Sequence, residues 1–141
     1  MAAHPADLAH RYAVALDRKD MDTLVGLFVP TVQERVRASL VPAIERLGVT
    51  VLSVTTQTVD LVDDDHATGV VYCTGEIEDP DEGWIRQQIV YQDRYERMDG
   101  SWFIRSRDHQ LVYGVKQSQN PLQQPPAEWP TRQVGRGTYP N

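Results

Sequence analysis

The chain is poor in the residues that mark several functional classes. It has one cysteine, Cys73, in 141 residues, so no intrachain disulfide can form and nothing points to an oxidising compartment. Cys73 itself reads as a small buried hydrophobe. Lys and Arg number 14 against 20 Asp and Glu, for a net charge of -6, and they form no block able to track a phosphate backbone, so nucleic acid is not an expected partner. No run approaches the roughly 18 apolar residues of a membrane span, and Met1–Pro5 lacks a basic segment leading into an apolar one. The expectation is a cytoplasmic protein without a membrane partner. His, Cys and acidic residues do not converge at metal-ligand spacing, so neither a metal nor a cofactor is expected. His4, His10 and His66 read as solvent-facing, and Asp63–Asp65 as a turn.

What is present fits one domain, since a chain of this length can bury roughly 70% of its extended surface. Pro5 suits the first turn of a helix, and Leu8, Tyr12, Ala15 and Leu16 follow at helical spacing, predicting a helix to about Arg18. Asp20 is a candidate N-cap for a short second helix bearing Leu24, Leu27 and Phe28 and ended by Pro30. Thr31–Arg37 is ambiguous and fits a short edge strand. Pro42–Leu47 predicts a third helix closed by Gly48 as a glycine C-cap. After Gly48, Val- and Thr-rich runs at Val49–Val62, Ala67–Ile77, Trp84–Met98 and Ser101–Val115 predict four long strands. Asp63–His66 and Met98–Ser101 are short enough for hairpin turns, and Glu78–Gly83 is a longer loop. Five of the nine prolines fall between Asn120 and Asn141. The expected architecture is therefore α+β: a cone-like, curved antiparallel sheet wrapped around N-terminal helices over residues 1–115. An irregular Pro-rich C-terminal tail, 116–141, would pack on the same domain, with Trp129 able to pin it there and close a pocket.

The stretch from Tyr91 to Arg105 carries the strongest chemical signal. It is a strand, an Asp99-Gly100 turn and a second strand. Strand side chains alternate sides, so Ile89, Tyr91, Asp93 and Tyr95 share one face while Gln88, Gln92, Arg94 and Glu96 share the other. Asp93 is thus an acid on an apolar and aromatic face.

This order of elements, with Arg11-Tyr12-Ala13-Val14-Ala15-Leu16-Asp17-Arg18-Lys19-Asp20-Met21-Asp22 and the Asp93–Ile104 hairpin, resembles the SnoaL-like, ketosteroid-isomerase-like superfamily over about residues 5 to 115. That superfamily includes polyketide cyclases, ketosteroid isomerases, scytalone dehydratase, limonene epoxide hydrolase and a dehydrochlorinase, with non-enzymatic transport and assembly proteins beside them. The resemblance to ketosteroid isomerase implies that Tyr12 and Asp93 form an oxyanion hole, with Asp93 a neutral donor. The general base of that enzyme falls near Val36, leaving Glu34 as the nearest acid. Comparison with the dehydrochlorinase and dehydratase branch places Asp17 on the aspartate that orients a catalytic histidine. The histidine position falls near Leu52, so Asp17 is open to a catalytic reading or to one as a helix-end acid holding a strand.

The remaining histidine, His109, is expected on the last strand, sharing a face with Phe103, Arg105, Arg107 and Leu111. It points into the cavity or, if a bulge shifts the parity, out to a dimer surface. His109 can act as acid or base near neutral pH, and Arg105 or Arg107 beside it can bind a substrate carboxylate or enolate, or pair with Asp93. The leading expectation is a cofactor-independent lyase, isomerase or cyclase moving protons on a small hydrophobic polyketide-, terpenoid- or steroid-like compound in a closed pocket. Asp93, Tyr12, His109 and Asp17 are the catalytic candidates, and Arg107, Arg105, Tyr91, Tyr95, Phe103, Leu111 and Trp129 the substrate-binding ones. In this scheme Asp93→Asn and His109→Ala both abolish turnover and leave the fold intact. The alternatives are a non-catalytic ligand-binding or dimeric assembly module and the small subunit of an aromatic-ring dioxygenase. The resemblance implies a homodimer in each case, built on a sheet face bearing Tyr72 or Val90.

Overall fold

The protein, seen in a computed structural model that describes residues 2–123, runs through three helices and then four strands. Helix α1 (Ala6–Asp17) starts after Pro5 and buries Leu8, Tyr12, Ala15 and Leu16 on one side, because residues three and four apart line one helical face. Helix α2 (Met21–Gly26) is capped by Asp20, whose carboxylate accepts from the Thr23 amide at 3.2 Å, satisfying a helix-end donor. A 3₁₀ turn, Pro30–Val32, leads straight into helix α3 (Gln33–Glu45).

The edge strand expected at Thr31–Arg37 does not form. Val32, Val36, Leu40 and Ile44 recur every four residues and pack into the core as a helical stripe, and that tertiary burial decides the conformation. Pro42, expected to open a helix, lies inside α3. Its missing N–H and ring disfavour that position, and burial of the adjoining Val41 and Ile44 offsets the loss. Gly48 is not a left-handed cap. Its amide donates to the Glu78 carbonyl at 2.9 Å, and a Cβ there would meet only the far end of the flexible Glu78 side chain, so no backbone constraint calls for glycine.

Strands β1 (Thr50–Leu61), β2 (His66–Asp79), β3 (Gly83–Met98) and β4 (Ser101–Gln117) form an antiparallel meander in chain order. The last strand outruns its expected end by two residues. The β3–β4 turn places Asp99 and Gly100 at φ 51° and 79°, the left-handed pair that a two-residue hairpin needs. The helices cover one face of the sheet, where Val71, Tyr91, Tyr95 and Ile104 are buried, whereas Tyr72 on the outer face is half exposed. Register shifts in β1, and twice between β3 and β4, mark bulges of the kind that bend a sheet.

Asp17 fastens α1 to this sheet. Its carboxylate accepts from the Leu52 amide at 3.0 Å and the Thr50 hydroxyl at 3.1 Å. Burial raises its pKa, and those hydrogen bonds pull the other way without cancelling the effect. No helix among the described residues is long and apolar enough to cross a membrane. Trp129 lies outside the described residues.

Gly69 on β2 sits opposite Asp93 on β3, and the Tyr95 ring folds across it. An added Cβ would lie 2.7 Å from Tyr95 Cε2. Gly69→Ala is therefore expected to lower stability by about 1–3 kcal/mol, the usual range for overpacking a core. A urea midpoint unchanged from the parent protein would refute this close packing.

Candidate active site

The inner face of β3 and β4 carries an ion pair placed by strand register. Asp93 and Arg107 are cross-strand partners, and their side chains are 0% and 5% exposed. Arg107 donates from Nε to Asp93 Oδ1 at 2.8 Å and from Nη2 to Oδ2 at 2.6 Å. The Tyr95 hydroxyl donates to Oδ2 at 2.6 Å. Burial acts against the guanidinium charge, but the hydrogen bonds and charge of Asp93 outweigh it, so the Arg107 pKa is raised. The same guanidinium lies over the rings of Tyr12 and Tyr91, 4.4 and 4.1 Å from their centroids, within cation–π range.

This geometry corrects the oxyanion-hole expectation for Asp93. Both of its oxygens act as acceptors, held by three donors on the protein itself. Two of those donors come from the arginine that strand register brings opposite it. Tyr95 serves Asp93 and is 1% exposed; it is a core residue beside the pair, not part of a ligand-binding wall.

Above the pair lies a cavity of 470 Å³ between α1, α3 and the inner sheet face, within the size range of small-molecule sites. Phe28, Val32, Val36 and Leu40 form its apolar wall. Tyr12, Tyr91, Arg107 and His109 form its floor and one side, and Arg35, Ser39, Arg105 and Ser106 complete it. Tyr91 meets Tyr12 and His109 edge-on, with centroids 6.0 and 5.6 Å apart. Among the described residues, the Tyr12 and Tyr91 hydroxyls and the ring nitrogens of His109 have no hydrogen-bond partner. Burial raises the pKa of both tyrosines, and the charge of Arg107 only partly counters it. Both hydroxyls thus stay protonated at neutral pH and can donate to a ligand. Among the described residues, no three His, Cys, Asp or Glu side chains gather where a metal ion could sit.

Tyr12, Tyr91, Arg105, Arg107 and His109 therefore share the cavity. Other candidates lie elsewhere. Phe103 pairs with Glu96, whereas Ile104 pairs with Tyr95. The bulge at Arg105 thus puts Ile104 on the face of Arg107 and His109 and turns Phe103 away. Leu111 is opposite Ile89 but half exposed, beyond the cavity. Asp17 is committed to β1, and Glu34 is exposed in the first turn of α3. Cys73 is 2% exposed and its thiol pKa is raised by burial. The residues that sequence reasoning missed are those of α3, Arg35 above all. The four-residue spacing from Val32 to Ile44 was their available signal.

The sequence matches the family model for a SnoaL-like domain over residues 6–108. No curated protein matches it. Among solved structures, the fold is similar to a protein of Novosphingobium aromaticivorans DSM 12444 provisionally named a scytalone dehydratase. That match has TM-score 0.71 and 16% identity, over 79% of this chain and 84% of the other. It is also similar to hexachlorocyclohexane dehydrochlorinase LinA-type3 from Novosphingobium barchaimii LL02, with TM-score 0.68 and 16% identity, over 80% of this chain and 87% of that one.

Proposed function

The chain belongs to the SnoaL-like domain family, and on that footing we propose that it is a lyase or isomerase acting by proton transfer on a small, largely apolar carbonyl or hydroxy compound. The observation that carries this reading is the convergence of His109 and the Tyr12 and Tyr91 hydroxyls, all without protein partners among the described residues, on one apolar-walled cavity. A ring nitrogen of His109 takes a proton from the carbon beside a carbonyl. The C–H electron pair becomes a C=C bond, and the carbonyl oxygen becomes an enolate oxygen that accepts from the two tyrosines. Return of the proton to another carbon completes an isomerisation. Loss of a β-hydroxyl or β-halide, the hydroxyl leaving as water with that proton, completes an elimination.

Arg107 contributes without touching the reaction. Its charge, fixed by Asp93 and lying over both rings, favours negative charge growing near the tyrosine oxygens. This division of labour differs from a scheme in which Asp93 donates directly, and it requires Asp93 only as the anchor of Arg107.

Screening cyclic ketones and β-hydroxy ketones by proton NMR tests the reading. With an accepted substrate, Tyr12→Phe is expected to lower kcat about a hundredfold while the urea midpoint stays put, because the lost hydroxyl has no described protein partner. Unchanged kcat in Tyr12→Phe would remove the tyrosine from the chemistry. A second reading, binding without turnover, is favoured by one observation: with Asp93 fully engaged by Arg107 and Tyr95, His109 is the one imidazole or carboxyl group lining the cavity among the described residues. Tight binding of a neutral hydrophobic ligand, with flat activity across the panel, would select it. In either case the half-exposed Tyr72 on the outer sheet face is where a second copy would pack.

A further inference from the structure

The cavity has a one-sided charge that the chain as a whole does not share. Acids outnumber Lys and Arg by 20 to 14, yet among the described residues no Asp or Glu lines the cavity, and three arginines do. Arg107 is spent on Asp93. The other two have no acidic partner among the described residues. Arg35, on the first turn of α3, makes no side-chain hydrogen bond or ion pair there, and Arg105 makes one contact, from Nη1 to the Thr31 hydroxyl at 3.1 Å.

Arg11, Arg37, Arg46 and Arg97 each meet an aspartate, while Arg18, Arg86 and Arg94 make no ion pair among the described residues; what sets Arg35 and Arg105 apart is that both are unpaired within one cavity. The two unpaired guanidiniums come from different elements. Arg105 is the extra residue of the β4 bulge, since Ser106 pairs with Arg94 and Ile104 with Tyr95, and bulges re-aim side chains in this way. Thr31, in the turn before α3, tethers the Arg105 guanidinium near the start of the helix that carries Arg35. Phe28, Val32, Val36 and Leu40 line the same cavity.

We infer that the ligand of this cavity is an amphipathic monocarboxylate, its carboxylate held by Arg35 and Arg105 at the mouth and its apolar ring system against Val32, Val36 and Leu40. This rests on the cavity being the small-molecule site proposed above and narrows its substrate class. Guanidinium matches carboxylate geometry through paired, charge-assisted hydrogen bonds. Two like charges facing one cavity with no acid between them repel each other until an anion arrives. Anion binding therefore gains charge attraction from both arginines, whereas a neutral analogue gains at most an uncharged-acceptor hydrogen bond.

Calorimetric titration with naphthalene carboxylate and the corresponding neutral carboxamide tests the assignment. The carboxylate is expected to bind about tenfold or more tightly than the amide, as two charge-assisted hydrogen bonds imply. The difference should shrink as salt is raised. In the Arg35→Gln/Arg105→Gln double variant the preference is expected to vanish, carboxylate affinity falling to that of the amide. Equal binding of the two compounds, or a preference that survives in the double variant, overturns the anion assignment and leaves the small-molecule site standing. Failure of both compounds to bind counts against the cavity as a ligand site and overturns both proposals.

Discussion

Asp93→Ala is expected to cost about 3–5 kcal/mol of stability, the penalty for leaving a buried charge without its partner. The Arg107 side chain is 5% exposed, so water replaces the two lost acceptors poorly, and the Tyr95 hydroxyl loses its acceptor in the same step. Asp93→Asn keeps the shape but removes the negative charge, so it is expected to unsettle the fold as well, contrary to the expectation of a fold-neutral catalytic variant. Arg107→Met removes the charge that Asp93 faces and should be similarly costly. The double variant Asp93→Leu/Arg107→Met removes the charges together and is expected to lose much less than the sum of the single changes. Urea denaturation of the four proteins decides the matter. A single Asp93→Ala loss below about 1 kcal/mol, the size of an exposed pair, would contradict the description of this pair as a buried anchor.

His109→Gln is expected to do the reverse, leaving stability within about 0.5 kcal/mol, as for a surface change away from the core, and lowering kcat about 10²- to 10⁴-fold. The ring is exposed toward the cavity, makes an edge contact with Tyr91 and has no described hydrogen-bond partner. Little structure therefore depends on it. Glutamine can donate or accept a hydrogen bond but cannot carry a proton between substrate carbons near neutral pH. Stopped turnover in a folded His109→Gln protein would separate proton transfer from simple binding. A variant that is equally active would transfer the chemistry away from this ring, and one that unfolds would show that its contact with Tyr91 is structural.

These two residues also show where sequence reasoning reaches and where it stops. Alternation along β3 placed Asp93 on the buried face, and the strand and turn pattern placed its arginine partner on the neighbouring strand, with Arg107 or Arg105 as candidates. Choosing between them required the β3–β4 register. The bulge at Arg105 sets that register and also turns Phe103 off the face. A bulge inserts one residue without altering composition or local propensity, so period-two reasoning cannot see it. The parity survived at His109 because the shift falls earlier in the strand.

The helices were legible where caps and stripes agreed, as at Pro5 and Asp20. They are not legible at α3, where the sequence pattern offers a helix only over Pro42–Leu47 although the helix starts at Gln33. That shortfall hides the cavity's apolar wall and Arg35 with it, since an arginine on an edge strand would have no reason to face the same space as Arg105. The ion pair shows a further limit. An acid on an apolar face is equally consistent with a neutral donor and with a paired carboxylate, and only the tertiary position of Arg107 distinguishes them.

Exchange of the α-protons of ketones for deuterium in D₂O, followed by proton NMR for the parent protein and His109→Gln, tests the account most directly. The panel should contain cyclic and bicyclic ketones with and without a carboxylate. The account predicts protein-dependent exchange of at least one compound, lost in His109→Gln although its urea midpoint matches that of the parent. Exchange no faster than in buffer across the panel, or exchange that is as fast without His109, would contradict proton transfer at this cavity.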